Sequence, residues 1–338
     1  GHAYEFRAIS DPTQLYPAKE PSGVNENNSA SGVSETKKTG SLVSAFCESY
    51  YAQTNTPIVA VSCSKGGEPI SFFAADGAAY NDAVARVNLA KEYLTENEDT
   101  TNLTLGNVYV VWLQGESDGD RNITAEDYTA ALDGIVQGFK EDIGADQFFI
   151  IPIGAYNGSS NSESRNAAYT VIRNAQIEYC ADSEDATVIS TLLEDLKAEG
   201  LMKDEFHFFQ SGYEIVGTDA GANMAYFVKN GTKPVCKDAS ECSIPLKEGG
   251  AWLEKDGQVV ISAEAALEQS AYASYHNGSV QGEVWGAWDG WLTGMHNIND
   301  VGNQWGGSEA PDGAPYLEFK VKFENAGTYY PYLLLSSP

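Results

Sequence analysis

One acid–base pair stands out in the segment KDEFHFFQSGYE. Asp204 lies three residues before His207. An aspartate at that spacing can place its carboxylate against the imidazole, which fixes the tautomer of the ring and stabilises the imidazolium form. The pair therefore has the chemistry of a general base and its orienting partner, although a D-x-x-H pattern taken alone also arises by chance.

Two further polar clusters follow apolar runs. SCSKGGEPISFF brings Gly66 and Gly67, and QGESD places Gln114 and Glu116 directly after VYVVWL. Backbone amides at a Gly-Gly turn and a side-chain amide can stabilise an oxyanion, at about 3 kcal/mol per donor. Each cluster also has a simpler interpretation, because Gly-Gly is often only a turn and Gln114–Glu116 could cap the next segment. Together with the Asp–His pair they predict an acyl-transfer hydrolase.

The elements that must position these clusters form an α/β layer. Unalternated apolar runs, which are typical of buried parallel strands, occupy 57–63, 108–113, 148–153 and 186–190. Amphipathic helices are predicted at 78–94, 125–143, 165–179 and after Ser211. The second starts at Thr124 with a T-x-x-D pattern close to a capping box, and S-G-Y-E at Ser211 fits a capping box. Strands that alternate with helices predict a doubly wound sheet, and ligands bind at the carboxyl ends of such strands.

The character of the chain changes near residue 233. Residues 233–247 are a polar linker, and 248–338 are predicted to be an all-β module, a β-sandwich that is expected to be incomplete at Pro338. Period-two alternation from Tyr316 to Phe323 predicts one strand with a solvent-facing side.

Tryptophans in this module suggest a second binding surface. Aromatic faces stack on sugar rings, so Trp285, Trp288 and Trp291 are candidate carbohydrate-binding residues. The alternative is that they fill the core of the sandwich or its interface with the first domain.

Composition excludes several classes of partner. The chain carries 20 basic and 48 acidic side chains, a formal charge of −28. Nucleic acids and anionic membrane surfaces both require a basic face, so neither is expected as a partner. No apolar run reaches the roughly 18 residues of a membrane span. No C-x-x-C pair or EF-hand spacing indicates a metal, and a small disulfide between Cys236 and Cys242 is one option for the five cysteines.

Three of the quoted segments resemble a known family. WLQGESD, SKGG and DEFHFFQSGYEIVG are similar to the sialate O-acetylesterase and acetylxylan-esterase branch of the SGNH (GDSL-like) hydrolases, over roughly residues 4–229. The resemblance implies a flavodoxin-like, three-layer esterase domain over 1–232 that removes acetyl groups from carbohydrate without a cofactor. It also implies a role for each matching residue: His207 as general base, Asp204 as its partner, Gly67 and Gln114 in the oxyanion hole, and Glu116 as a hydrogen-bonding support.

The nucleophile that the resemblance implies is not visible. In the family it is a serine in a G-Q-S-N motif at the end of the first strand, and this sequence has no such motif. By order the serine is expected upstream of Tyr4, on a further strand inside the sheet. The run from Tyr4 alternates, but as a central strand it would bury Glu5 and Arg7 without evident partners. Three serines are substitutes only in principle, because none lies at a predicted strand-to-helix elbow: Ser29, Ser31 and Ser44.

The sequence therefore leaves two main hypotheses. The first is a serine-type carbohydrate O-acetylesterase, expected to be secreted, periplasmic or at the cell surface because of its substrate class. The alternative is a non-catalytic carbohydrate-binding protein that retains an esterase scaffold. A metal-dependent hydrolase is weaker because the chain has only four histidines. The acetylated sugar and the oligomeric state stay open.

Overall fold

The computed structural model describes residues 2–33 and 40–236, followed by short pieces of the C-terminal region. Those pieces are residues 247–248, 251–254, 259, 268–269, 286–288, 291–293, 317–318, 321–323 and 325–331.

Six strands within residues 2–236 form two sheets of three strands. The strands are β1 (Ala3–Arg7), β2 (Asp11–Pro17), β3 (Ile58–Val61), β4 (Tyr109–Trp112), β5 (Gln147–Ile150) and β6 (Ala186–Val188). The first sheet has the order β2-β1-β3, with β2 antiparallel and β3 parallel to β1. The second has the order β4-β5-β6 and is parallel throughout. The four predicted apolar strands are confirmed as β3 to β6, each a few residues shorter than its apolar run.

Helices connect these strands. They are α1 (Val43–Thr54), α2 (Ala78–Glu96), α3 (Glu98–Thr101), α4 (Glu116–Asp120), α5 (Ala125–Asp142), α6 (Ser162–Asp182) and α7 (Gln210–Asn230). The four predicted amphipathic helices are confirmed as α2, α5, α6 and α7. At the start of α5 the Thr124 hydroxyl accepts the Asp127 amide at 3.1 Å, as the sequence predicts.

The predicted cap of the last helix is wrong. The extended residue before α7 is Phe209, so Ser211 is already the second helical residue. A serine caps a helix from a non-helical position, and Ser211 does not occupy one. Its buried hydroxyl has no hydrogen-bond partner among the described residues.

Helices cover both faces of the strands. On one face α1 and α7 pack in a single apolar cluster with side chains from both sheets, which include Ala3, Ile58, Ala60, Tyr109 and Phe149. On the other face α2, α5 and α6 enclose the opposite side chains of β4 and β5. The chain is therefore a mixed α/β structure with parallel sheets between helices.

β1 buries charge, and the structure supplies the partners that the sequence did not reveal. Glu5 is 3% exposed. Its carboxylate accepts Arg7 Nε at 2.9 Å and the Gly23 amide at 2.6 Å. Gly23 is distant in sequence, so this contact arises from tertiary folding, and it offsets the cost of burying the carboxylate.

A break separates the two sheets between β3 and β4. Among the described strands β3 pairs only with β1, and β4 only with β5. The segments that follow the two strands nevertheless meet, because Gln114 Nε2 donates to the Glu68 carbonyl at 3.1 Å and the Ile70 amide donates to Asp118. Val111 of β4 is 39% exposed, whereas every residue of β5 is buried. One edge of each of β3 and β4 is thus unpaired within the described residues.

The C-terminal pieces contain only short strands. They are β7 (Lys247–Glu248), β8 (Ala251–Leu253), β9 (Glu268–Gln269), β10 (Gly286–Trp288), β11 (Trp291–Thr293), β12 (Leu317–Glu318) and β13 (Val321–Lys322). Two parts of the predicted strand from Tyr316 to Phe323 are described: β12 pairs antiparallel with β9, and β13 pairs parallel with β8. Residues 316, 319 and 320 lie outside the described ranges, so the continuous strand stays a prediction. The β-sandwich stays a prediction, and the linker residues 237–246 lie outside the described ranges.

Candidate active site

Asp204 and His207 lie together in the loop before α7. His207 Nδ1 is 2.8 Å from Asp204 Oδ2 and 2.9 Å from Oδ1. The backbone amides of Phe206 and His207 also donate to Oδ1, at 2.9 and 2.7 Å. These bonds hold the carboxylate against the ring, so a proton on Nδ1 faces Asp204 and Nε2 is the nitrogen that can accept a proton.

The pair is tuned as a base and its partner. The hydrogen bond that Asp204 accepts from the ring raises the pKa of His207. Partial burial lowers the same pKa, but by less, so the net shift is upward. Burial alone would raise the pKa of Asp204, but the hydrogen bonds from His207 and from the two loop amides hold this pKa well below its usual range. The His207 side chain is 63% exposed and accessible to a substrate.

Gln114, Gly115 and Glu116 connect the end of β4 to α4. Gly115 has φ +145°, and a Cβ there would lie 2.9 Å from the Ile172 side chain, so only glycine fits. Burial raises the pKa of Glu116, and the nearby charge of His207 opposes that rise. Glu116 and the Asp204–His207 pair therefore influence each other electrostatically.

The Gly-Gly loop follows β3. Gly67 is exposed and has φ +74°, in the left-handed region that favours glycine. The loop is tied to α4 at its far end, because the Ile70 amide donates to both carboxylate oxygens of Asp118, at 3.1 and 2.9 Å. The oxyanion role of Gly67 stays a prediction.

A buried hydrogen-bond network centred on Gln176 holds the backbone of Gln114. Gln176 Nε2 donates to the Gln114 carbonyl at 2.7 Å and to the Tyr128 hydroxyl at 2.8 Å. Gln176 Oε1 accepts the Ile153 amide at 3.0 Å. The end of β4 is therefore linked to α5, α6 and the segment after β5 by groups that water does not reach.

An ion pair lies beside the loop of His207. Arg165 binds Asp120 through two bonds, Nε to Oδ1 at 2.9 Å and Nη2 to Oδ2 at 2.6 Å. The guanidinium carbon lies 4.1 Å from the centroid of Tyr156 and 5.4 Å from that of Phe206. Sequence reasoning missed Arg165, Gln176 and Asp118. Asp118 stands inside the QGESD motif, but nothing in the sequence shows the partner of any of the three.

The candidate carbohydrate-binding tryptophans belong to the C-terminal pieces. Trp288 of β10 and Trp291 of β11 are paired positions, and Trp285 lies outside the described residues, so glycan binding stays a prediction. Cys236 is a free thiol, so the disulfide option with Cys242 is not realised. Within the described ranges no three His, Cys, Asp or Glu residues are grouped to hold a metal ion, and no helix is long and apolar enough to cross a membrane.

The fold is a mixed α/β structure that carries an Asp–His pair, and comparison with known families identifies its class. The family model for sialic acid-specific acetylesterases, a group of carbohydrate esterases, matches residues 4–225. The chain belongs to this family and is a carbohydrate esterase by membership.

Solved structures give weaker likenesses. A protein from Arabidopsis thaliana is 17% identical, with 68% of this chain and 81% of that one covered and a TM-score of 0.47. LAE5, an alpha/beta hydrolase enzyme from the metagenome of Lake Arreo in Spain, is 13% identical, with 63% and 92% covered and a TM-score of 0.36. No curated protein matches the chain. At these TM-scores nothing further is inferred from the two structures.

Proposed function

We propose that this protein is a serine-type carbohydrate O-acetylesterase. The observation that carries the proposal is the Asp204–His207 pair, in which the carboxylate holds Nδ1 at 2.8 Å and the ring stays accessible. Family membership supports ester hydrolysis and does not favour the alternative of a non-catalytic binding protein.

In this mechanism His207 Nε2 takes the proton of a serine hydroxyl as the serine oxygen attacks the acetyl carbonyl carbon. The carbonyl oxygen becomes an oxyanion, which the Gly67 amide would stabilise by about 3 kcal/mol. Collapse breaks the bond to the sugar oxygen, and His207 returns the proton to it. Water then attacks the acetyl-enzyme with His207 again as base, which releases acetate and restores the serine.

The serine is proposed to lie on a strand upstream of Tyr4 that inserts between β3 and β4. The unpaired edges of these strands support this position, because the segments that follow β3 and β4 meet and a strand between them would join the two sheets into one. Its carboxyl end would lie at the sheet edge where Gln114 and the Gly-Gly loop meet. A parallel strand also requires a crossover of about a dozen residues or more before β1.

The remaining assignments follow from the substrate class. The substrate is an acetylated carbohydrate, either a sialic acid or a glycan such as xylan, and the enzyme acts outside the cytoplasm. Glu116, the first residue of α4, is proposed to support the site, and its charge acts on His207. Trp285, Trp288 and Trp291 are proposed to bind glycan from the C-terminal module.

Acetate release tests the proposal most directly. The substrates are acetylated xylan and O-acetylated sialic acid, given to this chain and to the chain extended through its upstream reading frame. His207→Ala should abolish turnover. His2→Ala is the matched control, because His2 lies against Glu48 and Tyr51 and not in the site. Absence of turnover in the extended chain on every acetyl ester would overturn the function.

A fluorophosphonate probe locates the nucleophile independently, because it labels an activated serine covalently. Labelling upstream of Tyr4, detected by mass spectrometry, is the expected result. Labelling of Ser29, Ser31, Ser44 or any other serine within residues 1–338 would contradict the upstream position while leaving the esterase proposal intact.

A further inference from the structure

The loop that carries Gly66 and Gly67 has a dedicated anchor. Asp118 is 1% exposed, and its two carboxylate oxygens receive the Ile70 amide at 2.9 and 3.1 Å. Ile70 is itself 3% exposed and begins the turn that ends the loop. A buried carboxylate is stable only where its acceptor sites are filled, so this contact fixes the loop end against α4.

Gln114 completes the same anchor. Its Nε2 has two hydrogens, and the two acceptors within reach are the Glu68 carbonyl, at 3.1 Å, and Asp118. An amide nitrogen has only two hydrogens to donate. In this arrangement both are directed at the loop and its anchor, and neither is directed at a substrate oxygen.

The side-chain oxygen and the backbone carbonyl of Gln114 are hydrogen-bonded as well. The single hydrogen of the Tyr128 hydroxyl faces two acceptors of Gln114, Oε1 at 3.2 Å and the backbone carbonyl oxygen at 3.0 Å. Gln176 donates to the same carbonyl at 2.7 Å. Rotation of the Gln114 amide towards a substrate would break bonds at both ends in a site without water access.

We propose that Asp118 is a positioning residue that, together with Gln114, fixes the Gly66–Gly67 loop in the geometry required to bind the oxyanion. Gln114 then acts through the loop, and the Gly67 amide contacts the substrate. The inference rests on the proposed function for its catalytic meaning, whereas the anchor itself is testable without turnover.

Hydrogen exchange measures the anchor directly. In Asp118→Ala the Ile70 amide should exchange about 10- to 100-fold faster, because a hydrogen bond to a charged group is lost. Asp118→Asn, which keeps the shape and one acceptor oxygen, should give a smaller increase. The Ile151 amide, bonded to the Trp112 carbonyl at 2.9 Å, is the internal reference for global opening. Equal acceleration of Ile70 and Ile151, or of neither, would overturn the anchor.

A double-mutant cycle tests whether Gln114 and Asp118 act together in holding the Ile70 amide. If Gln114 and Asp118 act as one unit, Gln114→Leu combined with Asp118→Asn should accelerate Ile70 exchange hardly more than the worse single variant. If the acceleration in the double variant equals the product of the two single accelerations, Gln114 and Asp118 act separately, and the proposal that they form one unit is overturned.

Turnover of 4-nitrophenyl acetate by the extended chain adds the catalytic test. Asp118→Asn should lower kcat about 10- to 100-fold with KM nearly unchanged, since the oxyanion contact forms only in the transition state. Unchanged kcat with accelerated exchange would overturn the positioning role and leave a purely structural anchor. Absence of turnover in the unmodified enzyme would overturn the proposed function, while the exchange result would still decide the anchor.

Discussion

The two arms of the site differ in exposure and in chemistry. The arm of Gln114 and Asp118 is buried, and its polar groups are bonded to backbone and side chains from several elements. The arm of Asp204 and His207 is a loop in which the carboxylate and the ring are 37% and 63% exposed. Buried networks resist movement, whereas an exposed pair exchanges protons with substrate and solvent at little structural cost. The difference agrees with the proposed division, in which the buried arm holds geometry and the exposed arm supplies the acid–base pair.

Asp204→Asn should separate the effect on activity from the effect on stability most clearly. The activity is expected to fall about 10²- to 10⁴-fold, because the ring loses its orienting carboxylate. The free energy of unfolding should change by less than about 1 kcal/mol, because the pair is exposed. Ester hydrolysis and urea unfolding measure the two effects. Glu205→Gln is the neighbouring control, and an equal loss of activity in it would break the comparison.

Gln176→Leu should give the opposite pattern. The variant leaves the buried Ile153 amide without its partner and removes a bond to the Gln114 carbonyl, at about 1–3 kcal/mol per unsatisfied group. Thermal and urea unfolding should therefore show a loss of roughly 2–4 kcal/mol. Gln137→Leu on the exposed face of α5 is the matched control, expected within about 0.5 kcal/mol. Equal stability of the two variants would show that the buried network centred on Gln176 contributes nothing special.

The pH dependence of kcat/KM tests the role of His207 in the exposed arm. His207 acts as base only when neutral, and its pKa is raised by Asp204, so kcat/KM should rise with pH through a limb that lies above the ordinary histidine range. Asp204→Asn removes the cause of the raised pKa, and the limb should move to lower pH. Because the pKa of His207 is raised in the folded protein, any stabilisation of the fold by the Asp204–His207 pair is fully present below the ordinary histidine pKa. This stabilisation is lost as the pH rises through the raised pKa. A limb that moves upward in the variant would contradict the assignment.

Arg165→Lys should have the smallest effect. Lysine keeps the charge but loses the two-point contact with Asp120 and the stacking on Tyr156. These contacts contribute about 1 kcal/mol together, so kcat should fall roughly fivefold if Arg165 steadies the His207 loop. Steady-state kinetics with 4-nitrophenyl acetate measures it. A loss as large as that of Asp204→Asn would make Arg165 part of the chemistry.

Local patterns in the sequence predicted the local structure well. The apolar runs identified β3 to β6, and Thr124 was identified correctly as the cap of α5 because the T-x-x-D pattern bonds within one turn. The Ser211 prediction failed because α7 begins two residues earlier than the S-G-Y-E pattern predicts, with Phe209 as the last extended residue. The local motif alone did not decide where this helix begins.

The sequence by itself determined the strands β3 to β6, the four long amphipathic helices, the family, and the pairing of Asp204 with His207, since these depend on residues close together in the chain. Only the tertiary structure decided that Asp118 holds the Ile70 amide, that Gly23 satisfies Glu5, and that the edges of β3 and β4 stay unpaired. These contacts join residues 18 to 48 positions apart or depend on which strands become neighbours. No local pattern encodes them, because a buried polar group is satisfied by whichever donor the completed fold brings within about 3 Å.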